Sequence, residues 1–175
     1  MSDRFIFKPR NGDEVLKASP PGTRIYLYSD LAKSKKKAVD VLKSMGMNNI
    51  ILIQNPDNMN SGHWTSLSFD PKHRRAFYFS SYGGMPDKEK NKWIQRKKLR
   101  KSKQLRNVLN DGLKELARQG WVIHYNDFPY QKPGDETATC GIWTTAYLNA
   151  GGDPEIFERN HAPVDYYYRT LFGKE

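Results

Sequence analysis

The chain has 175 residues, a net charge of +10, 37% hydrophobic and 13% aromatic residues, and one cysteine. That length suits one domain with its own core, and a composition this rich in rings argues against a disordered chain. A single cysteine excludes an internal disulfide, no apolar run approaches the roughly 20 residues of a membrane span, and residues 1–15 hold no signal-peptide core; a soluble protein made in a reducing cytosol is expected.

In chain order, residues 22–29 (GTRIYLYS) alternate rings and aliphatics and read as a strand. Residues 35–46 place Val39, Leu42 and Met45 on one side of a short helix that Gly46 stops. Residues 48–55 (NNIILIQN) are a buried strand, closed by the turn-rich PDNMNSG. HWTSLSF, the turn DPKHRR and AFYFSSY form a β-hairpin over residues 63–82. A long helical region follows from 87 to 119, with Leu105, Leu109, Leu113 and Leu116 at helical spacing. Residues 121–125 are a strand, PYQKPGDETAT a loop, and 140–149 a helix closed by Gly151 and Gly152. A last helix, rich in Tyr, spans 164–172. Strands and helices mix without regular β-α-β alternation, so the class is α+β, a single domain.

The charge is concentrated. Residues 88–106 hold ten Lys or Arg and one acid, Glu89, a local net charge of +9 against +1 for all other residues. Lys92, Arg96, Lys97, Lys98, Arg100, Lys101 and Lys103 are the candidate nucleic-acid contacts; the alternative is a solvated helix face.

Cys140 stands where a loop meets a helix. There the helix's positive end favours a thiolate, although most buried cysteines are inert hydrophobes. A nucleophilic thiol needs a base. Of His63, His73, His124 and His161, only His63 opens a strand beside a shielding ring, Trp64. No Cys/His pair has zinc spacing, and YGGMPDKEK lacks the phosphate-loop pattern; no metal or cofactor is expected.

Taken in order, GHWTSLSFD, FYFSSYGG, PYQ and TCGIW resemble the adenovirus-protease-like cysteine proteases. That family includes the SUMO-specific proteases and the maturation proteases of large DNA viruses and virophages. The resemblance covers about residues 49–149. It implies a central mixed β-sheet flanked by helices, a papain-like fold of the adenain and SUMO-protease type. Residues 1–48 would be an N-terminal arm and helix, 49–149 the catalytic core with a basic helical insert at 87–119, and 150–175 a C-terminal helix. It implies Cys140 as nucleophile, His63 as general base and Gln131 as oxyanion donor. Trp64, Gly141 and Trp143 would be substrate-binding residues, with the two rings roofing a narrow cleft.

The family's acid falls at Ser80, 17 residues after His63. Serine can orient an imidazole but cannot stabilise its charge, so Ser80→Asp is expected to be tolerated. The alternative for Ser80 is an ordinary turn residue, and for Gln131 a solvent-facing amide. The resemblance further implies cleavage of capsid or other virion precursor proteins after small residues such as Gly. It implies a monomer located in the virion and the host's viral factory, with non-specific DNA as partner or non-covalent activator and no membrane. Two other functions stay open: removal of ubiquitin or SUMO from host conjugates, and a degraded protease fold kept as a DNA-binding virion protein.

Overall fold

The computed structural model describes residues 12–131 and 139–173. Five strands form one mixed sheet in the order β1-β2-β3-β4-β5: β1 (Arg24–Leu27), β2 (Asn48–Asn55), β3 (Asn58–Asp70), β4 (Arg75–Ser80) and β5 (Val122–Tyr125). The inner pairs β2/β3 and β3/β4 are antiparallel; the outer pairs β1/β2 and β4/β5 are parallel. Helices cover both faces, so the architecture is α+β with a central mixed sheet.

β2 is an inner strand, and its sequence suits burial on both faces. Residues 49–54 are all buried, and three of them are β-branched isoleucines that pack well on a pleated surface. Alternation divides them between two cores. Ile51 and Ile53 face helices α2 (Tyr28–Ala32), α3 (Ala38–Lys43) and α6 (Val108–Arg118). Ile50 and Leu52 face α1 (Gly12–Ala18), α7 (Cys140–Asn149) and α8 (Pro154–Asn160).

Three expected elements differ. The strand over 22–29 ends at Leu27, because Tyr28 turns into α2 and sends its hydroxyl to Asp87 Oδ1 at 2.5 Å and the Arg106 carbonyl at 2.8 Å. The single helical region over 87–119 is three helices: α4 (Lys88–Trp93), α5 (Arg96–Lys101) and α6. Ile94 is extended and Lys103 is left-handed, so the chain turns twice within a run whose composition is helical throughout. The last helix is one turn of α-helix, α9 (Val164–Tyr167), followed by a π-helical turn (Tyr168–Phe172). α1 and α8 were not expected. α8 carries a readable start: Asp153 accepts from the Glu155 and Ile156 amides, with Pro154 behind it, a standard N-cap with proline in the first turn.

Gly112 is where α6 crosses α3. A Cβ there would lie 2.6 Å from Leu42 Cδ1 and 3.0 Å from the Ala38 carbonyl oxygen. Alanine is the better helix former by about 1 kcal/mol, so any net loss must come from overpacking. Gly112→Ala is expected to cost about 1 kcal/mol net, read from the urea midpoint; an unchanged or raised midpoint would mean that α3 yields freely.

Candidate active site

The site forms where β4 stops. Its last residue, Ser80, pairs with Thr65 of β3, so β3 runs on beyond it with an open edge at Trp64 and His63. Helix α7 takes that edge. The Trp64 N–H points at Cys140 Sγ at 3.5 Å, and Thr144 Oγ1, one turn further on, donates to the Trp64 carbonyl at 3.1 Å. Both polar groups of one strand residue are thereby satisfied by a helix, and Cys140 is fixed against β3. α7 is buried from Cys140 to Leu148, so it cannot rotate its first residue away.

His63 lies two residues before Thr65 and therefore on the face that Ser80 occupies. Its Nε2 is 3.0 Å from Ser80 Oγ and 3.0 Å from Glu89 Oε2. Ser80 Oγ also donates to Glu89 Oε1 and accepts from the Tyr82 amide. With its one proton given to Glu89, the Ser80 oxygen can only accept from the imidazole. Nε2 therefore carries hydrogen, and Nδ1 is left for the thiol. Nδ1 is buried with no other hydrogen-bond partner among the described residues.

The electrostatics follow from this geometry. Burial opposes charge on His63, but the hydrogen bond to Cys140 and then that to Glu89 outweigh it, and the ring's pKa is raised to about 9. Burial likewise opposes ionisation of Cys140. The hydrogen bond and charge of His63, with the N–H groups of Trp64 and Gly141, overcome it and hold the thiol below its ordinary value. The two groups titrate as a pair.

Gln131 is buried at the same strand end. Its backbone N–H donates to the Ser81 carbonyl at 2.9 Å, and its side-chain Oε1 accepts from Ser81 Oγ at 2.7 Å. With the oxygen so held, the amide nitrogen is the end directed away from Ser81. The loop from Gln131 to Cys140 lies largely outside the described residues. Trp64 and Trp143, expected to roof a cleft, are core residues at 6% exposure each. Trp143 packs among Tyr130, Phe157, His161 and Tyr167, and Gly141 is buried beside Cys140. The rings that flank the imidazole are Tyr82, at 4.8 Å between centroids, and the exposed Trp93, at 6.2 Å. Nothing in the sequence singles out Trp93, which sits within the lysine run.

The other histidines are elsewhere. His73 pairs with Asp70 at the far end of the hairpin, His124 stacks on Phe77, and His161 joins the Trp143 cluster. An apolar cavity between Leu42, Phe69, Leu116 and Trp121 lies at the opposite end of the sheet from Cys140. No cluster of three or more His, Cys, Asp or Glu suited to a metal occurs among the described residues.

A buried Cys–His pair on a helix start and a strand edge, with a serine and a carboxylate behind the imidazole, is the arrangement that activates a thiol. The chain belongs to one family with a virophage protein: it is 30% identical to the uncharacterized protein V9 of Sputnik virophage over 135 residues, 77% of this chain and 72% of V9. Among solved structures it is similar to the C-terminal Ulp1 protease domain in complex with Smt3, the yeast orthologue of SUMO. That likeness has a TM-score of 0.44 and 16% identity, over 90% of this chain and 69% of that one. Ulp1 with its catalytic cysteine oxidised to a sulfinic acid gives a TM-score of 0.43 and 14% identity, over 95% and 71%. No protein-family model matches the chain.

Because Cys140 is the only thiol, its reactivity reads out without ambiguity. Alkylation by iodoacetamide, followed by mass, is expected to reach half its maximal rate well below the pH of about 8.5 typical of a free thiol. His63→Ala should slow it by about tenfold or more at pH 6.

Proposed function

We propose that this protein is a cysteine endopeptidase formed by one catalytic domain. The observation that carries the reading is the buried Cys140–His63 pair, in which each group favours the charged form of the other. Cys140 Sγ attacks the scissile carbonyl as thiolate. The His63 imidazolium gives its proton to the leaving amine, then takes one from the water that hydrolyses the thioester. The oxyanion is held by the backbone N–H of Cys140 and the side-chain amide of Gln131, whose orientation Ser81 sets.

The substrates are capsid or other virion precursor proteins, cut after Gly or another small residue, and the site of action is the virion or viral factory. Kinship with a virophage protein supports a viral setting. No cofactor has a part in these steps. The basic segment adds a partner of polyanionic character. Lys92, Arg96, Lys97, Lys98, Arg100, Lys101 and Lys103 are all exposed, and a surface of this kind holds duplex DNA through phosphate contacts without sequence preference. Lys90 and Arg106 are not available for that contact. Lys90 is 1% exposed and donates to Asn107 at 2.8 Å; Arg106 donates to the Ser34 and Lys36 carbonyls.

Incubation with the virus's own capsid precursors, with new termini mapped by mass spectrometry, tests the reaction. Cys140→Ala should abolish cleavage with the fold intact; cleavage at the wild-type rate would end the proposal. Gln131→Ala should lower kcat by about 10²–10³ with little change in KM. Exchanging Lys92, Arg96, Lys97 and Lys101 for Gln should weaken DNA binding and flatten the log–log salt dependence by about 0.9 per lost phosphate contact. An unchanged slope would leave these side chains as solvated surface.

A further inference from the structure

We infer that Glu89, carried by helix α4 outside the strand hairpin, is the residue that positions and charges His63, with Ser80 as the hydroxyl that ties the two together. This rests on the peptidase reading above and assigns the acid that the hairpin lacks at the end beside His63. The segment from 88 to 106 is so basic that its one acid looks like an incidental countercharge. The structure places that acid away from the cations. Glu89 is 6% exposed, and its ion-pair partner among the described residues is His63.

Its two oxygens have separate tasks. Oε1 accepts a hydrogen bond from the Ser80 hydroxyl, so the Ser80 oxygen must accept from Nε2–H. Oε2 is buried, faces Nε2 at 3.0 Å and has no hydrogen-bond partner of good geometry among the described residues. A buried carboxylate oxygen without a donor is costly, and a positive ring beside it offsets that cost. An imidazolium at His63 is such a ring, and it is the form that keeps Cys140 ionised.

The helix that delivers Glu89 is fixed on either side of it. Asp87 has a left-handed backbone, φ 68°, which a non-glycine residue adopts at a cost of about 1–3 kcal/mol. Its carboxylate does not cap α4. It accepts instead from Tyr28 Oη at 2.5 Å and from the Asn110 amide at 2.8 Å, which ties the start of α4 to α2 and α6. Lys90 is buried on the other side, donating to Asn107 Oδ1 and lying 5.2 Å from the Tyr28 ring. One strained residue and one buried cation thus hold a short helix so that the residue between them reaches the imidazole.

This arrangement reverses the expectation for Ser80→Asp. With Glu89 in place, that change puts two carboxylates into one buried site, and such a pair cannot both stay ionised. The single variant should lose activity. In Ser80→Asp/Glu89→Gln the strand supplies the charge in place of the helix, and activity should return.

The test reads His63 directly. In a Cys140→Ala background, titration of the His63 ring followed by NMR is expected to move to lower pH in Glu89→Gln, which keeps the shape of the side chain and removes its charge. In the active protein, Glu89→Gln should lower kcat by about tenfold or more and shift the alkaline limb of the rate profile downward, while Ser80→Asp/Glu89→Gln recovers part of both. An unmoved ring titration, or a double variant no better than Glu89→Gln, overturns the assignment. Should Glu89→Gln fail to fold, Glu89→Asp, which draws the charge back from the ring, decides by the same titration. If the titration moves but no variant cleaves any precursor, the role of Glu89 stands and the peptidase reading falls.

Discussion

One residue of β3 holds the site together. The backbone N–H and C=O of Trp64 emerge just past the end of β4, where the sheet offers them nothing, and α7 satisfies both through Cys140 and Thr144. An unpaired peptide group inside a protein costs about 1–3 kcal/mol, so shifting α7 by one turn would be penalised twice. The same contact sets the distance from Cys140 to His63, the next residue along β3. Length of β4, docking of α7 and pairing of thiol with imidazole are therefore one constraint: a longer β4 would occupy the edge that the helix needs.

The site draws on elements far apart in the chain because each supplies what its neighbours cannot. β3 gives the imidazole a rigid mount but no charge. β4 ends in Ser80, turned to His63, and the residue just past it, Ser81, is turned to Gln131. The carboxylate comes from α4, and α4 is steady because Asp87 and Lys90 anchor it to α2 and α6. Residues with no contact to the thiol thus determine how well the imidazole is held.

What the sequence revealed follows the same physics. β2 and α7 were read with their observed bounds, because an apolar run closed by turn residues and a run closed by Gly151 and Gly152 are local signals. The closeness of His63 and Ser80 was legible too, since a hairpin converts a spacing of 17 into a cross-strand relation. Glu89 was not legible. Its neighbours are lysines, its role depends on a helix that ends after six residues, and nothing local indicates that Ile94 is extended or that Asp87 is left-handed. The setting of Trp143 is of the same kind: rings from α8 and α9 pack against it, and nothing local to its place in the sequence indicates them. The start of α8 is legible in Asp153–Pro154, an N-cap followed by proline in the first turn.

Helix α7 is enclosed by segments from both ends of the described chain. α1 packs on it from residues 12–18, and α9 with the π-helical turn packs on it from residues 164–172. In chain order, then, His63 and Cys140 both precede the residues of α8, α9 and the π-helical turn that cover the helix carrying Cys140. Without Phe157, Tyr167 and Leu171, a helix buried from Cys140 to Leu148 has no complete enclosure. A chain that lacks those residues leaves the helix that carries Cys140 incompletely covered.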